Sequence, residues 1–157
     1  MREARWLDER EQRAWRAVTA MQDRLKAALS RELIADSPLS YPDYEVLVAL
    51  TDQADGRLRP FELAALLGWE QSRLSHHMER MVQRGLIKKV ACDTDRRGSY
   101  VAVTAKGRRA IEAAAPGHVA AVRRLFIDQI TPQELDAIAD AAERVLGILD
   151  RASERTT

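Results

Sequence analysis

The residues best suited to chemistry in this sequence lie between positions 71 and 97, where basic and hydrogen-bonding side chains are concentrated. The segment holds seven Arg or Lys residues and three acidic ones. It opens with the run Gln71-Ser72-Arg73-Leu74-Ser75-His76. Gln can pair bidentately with adenine and Arg with guanine, while Ser hydroxyls commonly bond phosphate oxygens. Such a set can therefore bind base edges and the phosphate backbone, although the pattern leaves open which residue contacts which base.

Charge is segregated along the chain, although the formal net charge is only +1. Residues 1–56 carry 8 basic and 11 acidic side chains, residues 57–109 carry 12 and 5, and residues 110–157 carry 5 and 8. Attraction to phosphate depends on clustered Lys and Arg rather than on the average charge. The basic centre is therefore expected to meet an anionic partner. Charge alone leaves a solvated basic surface as the alternative.

Sequence patterns place the basic residues on two helices and a hairpin. The turn at Gly68 separates two apolar-periodic segments, and the second segment, about 70–84, has its apolar residues three and four apart. Two β-prone runs then enclose a polar segment, which predicts a hairpin at about 87–103. We call 70–84 the recognition helix and 87–103 the wing.

Amphipathic helices are predicted on both sides of this central lobe. Residues 10–35 carry apolar side chains at helical spacing, and Thr131-Pro132-Gln133-Glu134 has the N-cap, first-turn Pro and N3 Glu of a capping box. Pro116-Gly117 is expected to kink or split the helix that Thr104 caps. The apolar stripes exceed what one small domain covers, so 10–35 and 117–154 are predicted to form a homodimer interface.

Several stretches of the chain resemble the MarR family of bacterial transcription regulators. They are Phe61-Glu62-Leu63-Ala64-Ala65-Leu66-Leu67-Gly68, Ser72-Arg73-Leu74-Ser75, Arg84-Gly85-Leu86-Ile87, the run from Asp93 through Arg96-Arg97-Gly98 to Thr104, and Gly107. The resemblance implies a mainly α fold with a small β wing, a single domain over 1–157 and a winged helix-turn-helix lobe at 41–109. It also implies a repressor that binds double-stranded DNA as a homodimer. A cytoplasmic location is expected because the first residues, Met1 to Trp6, form no apolar leader segment.

The resemblance further assigns DNA contacts to the recognition helix and the wing. In the family an acidic residue orients an Arg that enters the minor groove, and Asp95 and Arg97 match that arrangement. His76 lies where the family often has Arg, and His77, where the family is commonly apolar, is expected to face the interior. The residues expected to contact DNA are Gln71, Ser72, Arg73, Ser75, His76, Arg80, Lys88, Lys89, Asp95, Arg96 and Arg97.

Relatives commonly release DNA when a small aromatic or anionic compound enters the crevice beside the dimer helices. Trp15, Arg16, Tyr41 and Tyr44 are the candidates for lining such a crevice here, although aromatic residues at helical spacing are more often part of a core. The single cysteine, Cys92, is expected to be a free thiol rather than a redox switch.

Other classes of protein are disfavoured by what the sequence lacks. It has no Gly-rich phosphate loop, no nucleophile elbow and no metal-binding motif, so an enzyme, a cofactor and a metal site are not expected. No stretch is long and apolar enough to predict a membrane span. A winged-helix protein-interaction module without DNA binding is the remaining alternative. Its distinguishing feature would be a neutral or acidic wing and recognition helix.

Overall fold

The structure is a computed structural model that describes residues 4–91 and 99–154. Its elements in chain order are α1 (Glu9–Asp36), α2 (Tyr41–Thr51), β1 (Arg57–Leu58), α3 (Pro60–Leu67), α4 (Gln71–Gln83), β2 (Ile87–Ala91), β3 (Ser99–Val103), α5 (Ala105–Leu125), a 3₁₀ turn (Ile127–Gln129) and α6 (Pro132–Glu154). The predicted mainly α fold with a small β wing is confirmed. The chain divides after Val119 into two compact units, and the predicted domain boundaries stay a prediction.

The core of the first unit is formed by the apolar faces of α2, α3 and α4 together with the sheet. Its residues recur at helical spacing, which brings them to one side of each helix. The side chains with the least exposure include Val46, Leu47, Leu50, Leu63, Leu74, Met81, Ile87 and Val101. This core fixes α4 against α2 and α3 and leaves the opposite side of α4 in solvent.

The wing is part of a three-stranded antiparallel sheet in the order β1-β3-β2. Ile87 pairs with Val103 and Ala91 with Ser99, so the predicted hairpin pairing is confirmed for the described residues. The short strand β1 pairs with the other edge of β3, with Arg57 opposite Ala102. The sheet therefore ties the wing to the chain that precedes α3.

The end of α4 is set by Gly85, which has a φ of +72°. The Leu86 N–H donates to the Met81 carbonyl at 3.0 Å, and the Gly85 N–H donates to the Val82 carbonyl at 2.9 Å. These are the two bonds of a Schellman motif, which requires a left-handed residue where Gly85 lies. The recognition helix thus ends on a defined residue and leads directly into β2.

Helix α5 runs without interruption from Ala105 to Leu125, with Pro116 inside it. Of the two outcomes predicted for Pro116-Gly117, a split of the helix is therefore wrong, and a kink stays a prediction. Proline removes one backbone N–H donor, and the three alanines before it, Ala113 to Ala115, have the highest helix propensity of any residue. The local preference for helix is strong enough that the missing hydrogen bond does not end it.

The second unit contains α6, which begins with the predicted capping box. The Thr131 N–H donates to Glu134 Oε2 at 2.8 Å, and the Glu134 N–H donates to Thr131 Oγ1 at 3.3 Å. Apolar side chains of α6 are exposed, among them Val145 at 56% and Ile148 at 60%. Within the described ranges, no helix has the length and apolar character that crossing a bilayer requires.

Gly107 permits a close approach between α5 and the start of β2, and this contact can be tested. A Cβ at Gly107 would overlap the backbone carbonyl oxygen of Leu86. We expect Gly107→Ala to lower the free energy of unfolding by about 1–3 kcal/mol, because the backbone must shift to relieve the overlap. Urea unfolding of the two proteins measures the difference.

Gly117→Ala is the matched control on the same helix. A Cβ there would have Asp36 Oδ2 as its nearest neighbour at 3.8 Å, an ordinary contact. Alanine is preferred over glycine in a helix by about 1 kcal/mol, so this variant should gain stability. Equal stability of Gly107→Ala and the wild type would contradict the close packing.

Candidate nucleic-acid interface

The recognition helix α4 separates its side chains into a buried stripe and an exposed face. Leu74, Met78 and Met81 are buried, whereas the helix residues expected to contact DNA are all exposed. Those exposed residues are Gln71, Ser72, Arg73, Ser75, His76 and Arg80. Because successive helical residues are about 100° apart, Ser72 and His76 face away from the buried stripe and Ser75 lies to one side of it. The helix can therefore present polar groups to a groove while its other side stays in the core.

Arg73 is held by an aromatic ring that the sequence analysis did not identify. Its guanidinium carbon lies 4.3 Å from the centroid of the Trp69 ring. Trp69 is only 8% exposed, so the ring is a fixed platform for a cation–π contact. Trp69 lies two residues before the first residue of α4 and outside the helix, so helical spacing gives no sequence signal for this pair.

A buried carboxylate, that of Asp43, lies beneath α4. Asp43 is 1% exposed and is the N3 residue of α2, where it forms a capping box with Ser40. The Ser40 N–H donates to Asp43 Oδ2 at 2.9 Å, and the Asp43 N–H donates to Ser40 Oγ at 3.2 Å. The sequence signal was the run Ser40-Tyr41-Pro42-Asp43. It has a hydroxyl residue at the N-cap and an acidic residue three positions later, as Thr131 and Glu134 do.

Two side chains from α4 and its C-cap reach this carboxylate. Arg84 Nη1 donates to Asp43 Oδ2 at 2.6 Å, and Arg84 Nη2 donates to the Pro38 carbonyl at 2.8 Å. His77 Nε2 lies 3.0 Å from Asp43 Oδ1. His77 is 7% exposed, which confirms that it faces the interior. The carboxylate thus joins the start of α2 to the middle and the end of the recognition helix.

The partners of Asp43 decide its charge. Burial by itself would raise the pKa of the carboxyl, but the hydrogen bonds from His77 and Arg84 lower it by more. Further hydrogen bonds from Ser40 act in the same direction, so the pKa lies well below the usual range of an aspartate. Asp43 is therefore a charged carboxylate in the folded protein at neutral pH.

The described part of the wing adds exposed basic residues. Lys88 and Lys89 on β2 are exposed, as expected for phosphate contacts. The guanidinium carbons of Arg57 and Arg59 lie 4.8 and 5.1 Å from the ring centroid of Tyr100 on β3. These two arginines, which the sequence analysis did not select, bring further positive charge to the sheet.

Some of the predicted residues fall outside the described ranges. They are Cys92, Asp95, Arg96 and Arg97. Their assignment to the wing tip and, for Cys92, to a free thiol stays a prediction from the sequence. In residues 4–91 and 99–154, no group of three or more His, Cys, Asp or Glu side chains is placed to hold a metal ion.

The four predicted effector residues do not lie together within one copy of the chain. Tyr41 and Tyr44 contact His118 of α5, with ring centroids 6.0 and 4.4 Å apart. Trp15 is 63% exposed on α1, and Lys26 of the same helix is the residue that contacts the Tyr41 ring. Eleven helical residues separate Trp15 from Lys26, a rise of roughly 16 Å. The adjacent Arg16 is exposed as well.

A cavity between α2 and α5 lies next to Tyr44. Its volume is about 360 Å³, and its lining consists of Tyr44, Val48, Thr51, Asp52, Arg108, Ile111, Glu112 and Ala115. Burial raises the pKa of Tyr44 and lowers that of His118, so both groups are neutral at pH 7. Of the four predicted effector residues, Tyr44 is the one that lines this cavity.

Known proteins resemble this chain in sequence and in structure. The MarR family profile matches residues 37–98. AbsC, a MarR family transcriptional regulator from Streptomyces coelicolor, is 35% identical with a TM-score of 0.88, over 94% of this chain and 99% of AbsC. Sco3205, a MarR family regulator from the same organism solved in complex with DNA, is 33% identical with a TM-score of 0.87, over 93% of this chain and 91% of its own.

More distant structures agree in fold alone. CouR from Rhodococcus jostii RHA1, solved bound to p-coumaroyl-CoA, is 24% identical with a TM-score of 0.73, over 82% of this chain and 88% of CouR. No curated protein matches the chain in sequence.

The contribution of the Asp43 carboxylate to stability should depend on pH. Its folded pKa is depressed, so its stabilisation is complete above the unfolded pKa of about 3.9 and is lost as the pH falls through the folded value. We expect Asp43→Asn to cost about 1.5–3 kcal/mol at pH 7, the range for hydrogen bonds to charged groups. The difference in free energy of unfolding between Asp43→Asn and the wild type should become progressively smaller below pH 4.

Asp55→Asn is the control for this experiment. Asp55 is exposed and pairs with Arg57 at 2.7 Å, so solvent screens the pair and its loss should change stability little. Chemical unfolding at pH 7 and pH 3 compares the three proteins. A cost of Asp43→Asn that stays constant from pH 7 to pH 3 would be evidence against a buried charged carboxylate.

Proposed function

This chain belongs to the MarR family of transcriptional regulators, and we propose that it binds a pseudo-palindromic DNA operator as a homodimer. The observation that carries the proposal is the exposed polar face of α4, fixed from below by the core and by Asp43. A helix of this kind fits the major groove, with base contacts from Gln71 and Arg73. The exposed Lys88 and Lys89 lie on the strand that follows α4, where phosphate contacts set orientation.

The homodimer is supported by apolar side chains that a single copy leaves in water. On α1 these include Trp15, Val18 and Met21, and on α6 they include Ile138 and Leu149, all of them at least 39% exposed. Exposed apolar stripes on long helices mark interaction surfaces. A two-fold dimer would place two recognition helices about 34 Å apart and half-sites about 10 base pairs apart.

We further propose that the protein is a cytoplasmic bacterial repressor released by a small aromatic or anionic effector. The α2–α5 cavity beside Tyr44 supports this, since Arg108 in its lining is a cation suited to an anionic group. The solved complex of CouR with p-coumaroyl-CoA is a precedent for a ligand on this fold. Trp15 and Arg16 would contribute only if the dimer brings them from the other copy.

A winged-helix module that binds protein instead of DNA is the competing hypothesis. Selection of bound fragments from random duplex DNA separates the two. We expect enrichment of a pseudo-palindrome with half-sites about 10 base pairs apart, together with a dimer mass in sedimentation at micromolar concentration. A variant with Lys88, Lys89, Arg96 and Arg97 changed to Ala, which keeps the core residues of the wing, is the control. Enrichment no greater than that of the control would favour the protein-interaction module, and a monomer would contradict the dimer.

Two basic residues of the wing should differ in what their loss does. Arg97→Ala is expected to weaken binding to the selected operator at least about tenfold, since an Arg in the minor groove contributes to specificity. Lys89→Ala should weaken binding to all duplexes about equally and reduce the salt slope by about one, as for a phosphate contact. Fluorescence anisotropy across a salt series measures both effects. Unchanged operator binding by Arg97→Ala would exclude Arg97 from the interface.

A further inference from the structure

A row of basic residues runs along one flank of the recognition helix. Arg73, His77, Arg80 and Arg84 follow one another at spacings of four, three and four residues. At about 100° per residue, all four fall within about 60° around the helix axis. The row lies between the buried stripe and the exposed face, and Arg80 is the member turned furthest from the stripe, where a side chain can reach a phosphate at the edge of a groove.

Hydrogen-bond partners within the row determine the state of His77. Arg80 Nη2 lies 3.0 Å from His77 Nδ1. A guanidinium has only donors, so Nδ1 must be the acceptor and the ring proton must be on Nε2. That nitrogen is the one that lies 3.0 Å from Asp43 Oδ1. The contact with Arg80 therefore assigns the Nε2–H tautomer, and the Asp43 carboxylate lies beside that N–H group.

The ring of His77 is fixed from two sides. Asp43 holds one edge from α2, and the Trp69 ring packs edge-on against it, with centroids 5.5 Å apart and planes at 84°. The charged groups around it are Asp43 on α2, Arg80 on α4 and Arg84 at the C-cap. His77 is therefore a buried hydrogen-bond acceptor with a fixed orientation, and it contacts Arg80, which is exposed.

We propose that His77 is a positioning residue for DNA binding, which presents Nδ1 to orient the Arg80 guanidinium toward a phosphate at the edge of the groove. The inference rests on the proposed DNA-binding function. The contact uses Nη2, and a guanidinium has further N–H groups that can donate to phosphate oxygens. An arginine that is already oriented loses less conformational entropy on binding than one that is free.

A double-mutant cycle on DNA affinity tests the role of His77. His77→Leu removes the acceptor and should weaken binding of the selected operator about three- to tenfold. In an Arg80→Ala background the same change should have no further effect, because His77 acts through Arg80. In a Lys89→Ala background it should keep its full effect. A loss that is equally large without Arg80 would mean a structural role only and would overturn the proposal.

His77→Asn separates the acceptor from packing. The Asn side-chain oxygen can take the place of Nδ1, while the contact with Asp43 is lost. We expect this variant to bind DNA more tightly than His77→Leu, with thermal unfolding of both variants recording any loss of stability. An increase in affinity on His77→Leu would overturn the proposal, because Arg80 would then be sequestered rather than oriented.

Arg80 can also be followed without DNA. Rotation of its guanidinium in NMR spectra of the free protein should be slow in the wild type and in His77→Asn and fast in His77→Leu. Free rotation in the wild type would overturn the positioning role even if the protein binds DNA. If guanidinium rotation is slow but the wild type binds no duplex DNA, the proposed function is refuted. The role of Arg80 in DNA binding is then refuted as well.

Discussion

A charged carboxylate stays buried only where donors surround it, and the burial of Asp43 therefore constrains much of the first unit. Removing such a group from water costs several kcal/mol, which the surrounding hydrogen bonds must offset. Its donors are the Ser40 N–H before α2 and the Arg84 guanidinium at the α4 C-cap, and the His77 ring from the middle of α4 lies 3.0 Å from its other oxygen. The recognition helix can rotate or slide against α2 only by breaking these bonds. A single buried charge thus fixes the register between the helix and its support.

The same interaction connects packing to the exposed surface. Apolar contacts of Leu74 and Met81 hold α4 in the core, but they have no preferred direction. Hydrogen bonds are directional, so the bond between Arg80 and His77 gives an exposed side chain a defined orientation, while Asp43 lies against the other ring nitrogen of His77. The net charge of +1 gives no sign of the basic surface on which Arg80 lies, because acidic residues elsewhere in the sequence compensate the positive charge of residues 57–109.

Much of the fold could be predicted because its signals are local. The turn at Gly68, the capping box at Thr131 and the spacing of the α4 stripe each depend on residues within a few positions of one another. The family resemblance, drawn from stretches spread over the chain, is confirmed by relatives that match nearly its whole length. The error at Pro116 arose because a strong breaker was given more weight than the alanines around it.

The polar network could not be predicted, because its partners are distant in sequence. Arg84 and Asp43 are 41 residues apart, and nothing in the order of residues marks them as a pair. The sequence did indicate that His77 faces the interior. It did not indicate which residues would contact the ring nitrogens, because Asp43 comes close to them only in the folded chain. Where the family is commonly apolar, this chain has a buried polar group that must keep its donors and acceptors matched. The cost of that constraint is the physical reason to expect that His77 does more than fill space.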